Sequence, residues 1–136
     1  FQAGVGVCQI SDIALSLLVT VIGHQMEKGW VITDGGWMAL SRDRGTANQK
    51  IDQGYGLVCD VHGHLIDDLW VSGANQEHGI ISARNGRKIN PKDFPIGMRL
   101  RILPNHACPT GAQHPCYYVV NNSLEIKDCW KRFYGW

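Results

Sequence analysis

Residues 55–72 read Tyr55-Gly56-Leu57-Val58-Cys59-Asp60-Val61, then His62-Gly63-His64, then Leu65-Ile66-Asp67-Asp68-Leu69-Trp70-Val71-Ser72. Two runs rich in β-branched and aromatic side chains flank a tripeptide centred on glycine, the pattern of two antiparallel strands joined by a tight turn. The same grammar extends in both directions. Strands are predicted over Leu17–His24, Trp30–Asp34, Tyr55–Val61, Leu65–Ser72, Gly79–Ala83, Gly97–Pro104, Cys116–Asn121 and Leu124–Phe133, with Asn121-Asn122 as a further turn because Asn tolerates positive φ. An apolar period of 3.6 is sustained nowhere for long, and only Ser11–Val19 offers one or two helical turns. The fold class that follows is mainly β: a small antiparallel β-barrel or sandwich with at most one or two short helices.

The chain has 136 residues, 44% hydrophobic and 18% charged, with 16 glycines, so it can bury about two-thirds of its unfolded surface in one core. Disorder and collagen are excluded, and no linker or repeat divides the chain, which reads as a single domain over residues 1–136. Thirteen Lys and Arg against twelve Asp and Glu leave no bulk positive field for nucleic acid or an anionic membrane. The one basic cluster, Arg84, Arg87, Lys88 and Lys92, reads as a solvated loop. The longest apolar stretch, Ile13–Ile22, is interrupted by Ser16 and Thr20 and falls far short of the roughly 20 residues of a membrane span. It follows Asp12, and the first Lys or Arg is Lys28, so it lacks the positive flank of a signal peptide. Five scattered cysteines, Cys8, Cys59, Cys108, Cys116 and Cys129, suit a reducing compartment better than a disulfide framework, and the expected location is the cytoplasm. The chain opens at Phe1 rather than Met, as a segment of a longer coding sequence would.

The densest chemistry lies in Pro104-Asn105-His106-Ala107-Cys108-Pro109-Thr110. Prolines at 104 and 109 disfavour helix at the residues before them, so an extended segment is expected, with His106 and Cys108 on one face. Imidazole and thiolate are preferred zinc ligands, and two of them from one segment leave positions open for water or substrate. His114-Pro115-Cys116 repeats the spacing, so a closed Cys2His2 site remains a rival on spacing alone. Against it, Cys116 opens a run that reads as a core strand, where Cys behaves as a small hydrophobe. The residues alone leave three readings open: an open site on His106 and Cys108, a closed site that adds His114 and Cys116, and no metal at all, with a structural Cys beside a hydrogen-bonded His. Asp34-Gly35-Gly36 reads as a turn, Ser41 and Asp43 as turn caps, and Glu77-His78 as residues that line a site without forming an acid–base pair.

Taken together, Asp34-Gly35-Gly36 through Asp43, Gly54-Tyr55-Gly56, Glu77-His78-Gly79, Pro104-Asn105-His106-Ala107-Cys108 and the terminal Trp130-Lys131-Arg132-Phe133-Tyr134-Gly135-Trp136 resemble the C-terminal domain of the D-threonine aldolase and D-serine dehydratase family. The likeness runs from about Val19 onward. It implies an alanine-racemase-like architecture whose pyridoxal-phosphate barrel precedes this β domain and is absent from the chain. It further implies a metal held by His106 and Cys108 beside that cofactor, taking the substrate's β-hydroxyl. Aldolase members can carry Asp where this chain has Cys108; the softer thiolate moves the expected metal from manganese toward zinc and the reaction toward dehydration. None of the six lysines falls in a Schiff-base motif, so the expected role is the metal-bearing part of a D-amino-acid lyase, inactive alone and partnered by a barrel domain. Two other roles compete: a free-standing module binding metal or a small ligand, and a structural domain that pairs copies into a homodimer.

Overall fold

The computed structural model describes residues 1–134, so the terminal Gly135-Trp136 of the motif above lies outside the described residues. Six strands, β1 (Leu17–Gln25), β2 (Trp30–Thr33), β3 (Gly56–Cys59), β4 (Leu65–Ala74), β5 (Gly79–Ala83) and β6 (Arg99–Pro104), close a barrel in the order β1-β2-β5-β4-β3-β6. Every neighbouring pair is antiparallel, including the β1–β6 pair that removes the sheet edges. A short helix α1 (Ala107–Ala112) follows β6, and β7 (Cys116–Val119) pairs with β8 (Asp128–Lys131) in a separate ribbon.

Alternation along the strands builds the core. Val19, Val21, Val31, Val58, Leu69, Val71, Ile81, Leu100 and Ile102 point inward and are buried, while Leu18 and Ile22 on β1 face outward. Each inward aliphatic stabilises the fold by roughly 1.5–3 kcal/mol. Register shifts between Val21 and Gly23, Leu57 and Cys59, and Val71 and Gly73 bend the strands, as a barrel this small requires. The β3–β4 turn is stapled by Asp60, whose carboxylate accepts the His62 and His64 backbone N–H groups at 2.8 and 3.0 Å, and Gly63 takes the left-handed conformation there (φ 93°).

Three expectations are corrected. Ser11–Val19 is not a helix: a 3-10 turn covers Ile10–Asp12 and β1 begins at Leu17, whose side chain packs against the core. The segment after Pro104 is not extended throughout. His106 is the N-cap (φ −134°, ψ 112°) and Cys108 and Pro109 lie in the first turn of α1, where the N–H that proline lacks needs no partner. Residues 116–119 form a strand, but in the ribbon outside the barrel, where Tyr118 is 63% exposed, so Cys116 is not a core residue.

The connectivity decides where function can sit. The β2 exit, β3 entry, β4 exit, β5 entry and β6 exit share one end of the barrel, as the pairings Thr33 with Gly79, Ala74 with Gly79, and Gly56 with Pro104 require. The long connection 34–55, the turn 75–78 and the segment from Asn105 therefore gather there. Close approach makes the junction tight: Trp37 N–H donates to Asn75 O at 2.9 Å and Met38 N–H to Gln76 O at 3.0 Å. A Cβ at Gly36 would crowd Asn75 O and lie 2.5 Å from His78 N, whereas one at Gly23 would meet Ile32 Cβ at 3.8 Å. Gly36→Ala is expected to lower unfolding free energy by about 1–3 kcal/mol, with Gly23→Ala near neutral, as urea titration would measure.

Candidate functional site

One buried hydroxyl anchors this end of the barrel. Thr46 is fully buried; its Oγ1 donates to Asp52 Oδ1 at 3.1 Å and accepts the Gln53 N–H at 2.9 Å and the Asn105 Nδ2–H at 2.6 Å. Asn105 also donates to Gly54 O at 2.6 Å, which ties the end of β6 to the 34–55 connection. Burial raises the Asp52 carboxyl's pKa, but the Gly54 N–H, the Thr46 hydroxyl and the charge and hydrogen bond of Arg44 outweigh it and hold the group below its ordinary value.

Next along the chain comes His106, whose Nδ1 hydrogen-bonds to Asp43 Oδ2. Asp43 is itself seated by its N–H donating to Ser41 Oγ at 3.1 Å, and His106 by Thr110 Oγ1 donating to its carbonyl at 2.9 Å. A carboxylate on Nδ1 fixes the ring and leaves Nε2 as the free nitrogen, the usual arrangement behind a metal-ligating histidine. Trp37, Met38, Ser41, Arg42, Asp43, Gln76, His106, Pro109 and Gln113 line an open cleft of about 690 Å³.

The other predicted residues lie as follows. Cys108 is an exposed, free thiol two residues beyond His106. His114 Nε2 hydrogen-bonds to Ala39 O at 2.9 Å, and Cys116 sits on β7, where its proximity raises the pKa values of Tyr118 and Cys129. Cys59 is in the core, its thiol pushed up to about 11 by burial and by the Asp60 charge. Asp34 is structural, accepting the Thr20 N–H at 2.7 Å, and of the 75–78 turn Gln76 lines this cleft while His78 lines a smaller one beside His24. Of the basic cluster, Arg84 is more than a solvated residue: it stacks on Trp70 and donates to Asp52 O at 2.8 Å. Sequence reasoning gave Asp43 to a turn and assigned nothing to Arg42 or Trp37; only the closure of the barrel brings them to His106.

Among the described residues no group of three or more His, Cys, Asp or Glu side chains is placed to hold an ion, so a closed four-ligand site is absent there. The donors that remain near the cleft are the His106 imidazole, which lines it, and the exposed Cys108 thiol two residues on, which does not; two such donors are fewer than a closed site needs and would leave other positions to water, substrate or another domain.

A family model described as "Putative serine dehydratase domain" matches residues 14–120. The chain belongs to this family. The D-threo-3-hydroxyaspartate dehydratase of Delftia sp. (strain HT23) is 54% identical over 134 residues, 97% of this chain and 35% of that protein. Its solved structure superposes with a TM-score of 0.90, at 52% identity, over 99% of this chain and 36% of that one. Solved mutants of a D-threo-3-hydroxyaspartate dehydratase replace a histidine and, two residues later, a cysteine, the latter in a metal-free form. The D-serine dehydratase of Dictyostelium discoideum is 30% identical over 99% of this chain and 34% of its own length. An uncharacterized protein of Mycobacterium bovis is 29% identical over 96% of this chain and 90% of its own length. The chain thus spans about a third of the dehydratases it matches and corresponds to their C-terminal domain.

Because the Asp52 carboxyl is lowered in the fold, it contributes stability that is complete above the ordinary carboxylate range and is lost as pH falls through its native pKa. Asp52→Asn is expected to flatten the acid limb of stability against pH while leaving that limb's onset at other carboxylates, such as Asp60, in place; denaturant titrations between neutral and acid pH give the measurement.

Proposed function

We propose that the chain is the metal-bearing C-terminal domain of a pyridoxal-phosphate-dependent D-amino-acid lyase acting on β-hydroxy substrates, by dehydration as with D-serine or by retro-aldol cleavage as with D-threonine. The observation that carries this reading is the Asp43–His106 pair opening onto a cleft, with the Cys108 thiol two residues on. The His-x-Cys spacing of the residues mutated in D-threo-3-hydroxyaspartate dehydratase supports it. Likeness to dehydratases at 54% and 30% identity favours dehydration.

In this reading His106 Nε2 and the Cys108 thiolate hold a divalent ion, zinc before manganese, and pyridoxal phosphate is held by a barrel domain outside this chain. The cofactor would stabilise negative charge at the α-carbon while the metal would polarise the β-hydroxyl. The protein's own task is placement. Asp43 keeps the imidazole in the tautomer that presents Nε2, α1 carries the thiol, and Trp37, Met38 and Pro109 supply apolar lining to the cleft. The domain would work in the cytoplasm, where its five free thiols stay reduced.

A second reading, a free-standing module that binds metal or a small ligand, is favoured by the Mycobacterium relative of nearly the same length. Joining the chain to the barrel portion of the Delftia enzyme separates the two. The lone chain is expected to form no Schiff base with pyridoxal phosphate and to turn over neither D-serine nor D-threonine. The chimera is expected to release pyruvate or glycine, and His106→Ala to abolish that release, since losing the metal raises the barrier by several kcal/mol. Activity of the lone chain, or of the chimera without His106, would defeat the first reading.

On the chain itself, Asp43→Ala is expected to weaken zinc binding about 10- to 100-fold without unfolding. Calorimetric titration measures the affinity, and long-range ¹H–¹⁵N spectra of His106 report the tautomer.

A further inference from the structure

The cleft beside His106 holds one cation whose charge no carboxylate answers. Arg42 lines it, and its guanidinium lies 4.5 Å from the centroid of the Trp37 ring. Among the described residues Arg42 enters no ion pair, whereas its neighbours are committed: Arg44 to Asp52, and Asp43 to His106. The remaining polar lining, Ser41, Gln76 and Gln113, is neutral. Stacking on an indole orients a guanidinium while leaving its edge N–H groups available, and that planar fork matches a carboxylate in two parallel hydrogen bonds.

Position in the chain makes the charge specific to one part of a substrate. Arg42 adjoins Asp43, and Asp43 holds His106. If the β-hydroxyl is taken at the His106 side of the cleft, the other substituent of the same β-carbon must lie within a bond or two of it, against the same wall. For D-serine that substituent is hydrogen, for D-threonine a methyl group, and neither gives a guanidinium anything to bind. A β-carboxylate does.

Resting on the function proposed above, we propose that Arg42, held by Trp37, is a specificity-determining residue that binds a carboxylate on the substrate's β-carbon. The site then selects dicarboxylic β-hydroxy-D-amino acids, the 3-hydroxyaspartate class, over D-serine and D-threonine. A site built to hydrogen-bond a charged substituent discriminates strongly against substrates lacking it, because the donor is otherwise left unanswered.

The test uses the chimera with the Delftia barrel portion, loaded with pyridoxal phosphate and zinc, and compares D-threo-3-hydroxyaspartate with D-serine. Arg42→Gln is expected to lower kcat/KM for the hydroxyaspartate about 100-fold, mostly through KM, and to leave D-serine within about threefold. Arg42→Lys, which keeps the charge and loses the fork, is expected to fall between. A ratio of the two substrates unchanged by Arg42→Gln overturns the proposal and leaves the functional reading standing. Equal loss on both substrates, with poorer association of the two portions, assigns Arg42 to docking and also overturns it. A loaded parent chimera inactive on both substrates overturns the functional reading, and this proposal with it. A readout free of turnover comes from the chain alone: succinate is expected to shift the Arg42 Nε–H resonance, and neutral succinamide is not. An equal response to both probes counts against carboxylate recognition.

Discussion

The hydroxyl of Thr46 is the point on which the functional end of the barrel depends. It is wholly buried, and it meets a carboxylate, a backbone N–H and a side-chain amide at once. The three partners come from the 34–55 connection and from the residue that follows β6, so a single atom joins the loop carrying Arg42 and Asp43 to the segment carrying His106 and Cys108. Around the Thr46 hydroxyl the hydrogen bonds double as alignment, while the buried Oδ1 of Asn105 is left without a partner. The barrel supplies the frame for this junction, and the β1–β6 pairing supplies the barrel.

Much of that frame was legible in the chain. Period-two alternation with glycine and asparagine at the turns located every strand, because inward positions such as Val19, Val21 and Val71 must be apolar and turns such as Asn121-Asn122 must tolerate positive φ. Closure into a barrel rather than a sandwich was not legible, since it rests on β6 pairing with both β1 and β3 across long sequence separations. Local rules misread the segment after Pro104. They weighed the proline against helix, whereas Pro109 falls in the first turn of α1, a place where proline costs little. The site was half visible. His106 and Cys108 stand out as candidates by their spacing and by the family likeness, but Asp43 and Arg42 look like ordinary turn residues until the fold places them on the same cleft as His106.

The cleft shows a division of labour between ordinary side chains. A carboxylate that could have been a catalytic acid is instead engaged with an imidazole, and a cation that could have paired with it lies on an indole. Neighbouring residues of opposite charge thus avoid neutralising each other, because Asp43 is engaged by His106 from the segment after β6 and Arg42 by Trp37 of its own connection. The cleft is thereby lined by both a positive donor and an oriented ring.

Antiparallel closure also has a consequence for how such a domain can change. The loops at the opposite end, including the 60–64 turn where a Cβ at Gly63 would meet nothing within 4 Å, contribute no residue to the main cleft. Added residues there lengthen a surface excursion at small entropic expense and leave the Thr46 junction untouched. That pole is the natural place for lineage-specific insertions, or for grafted labels and partner domains, and the two ends of one small barrel are free to diversify at different rates.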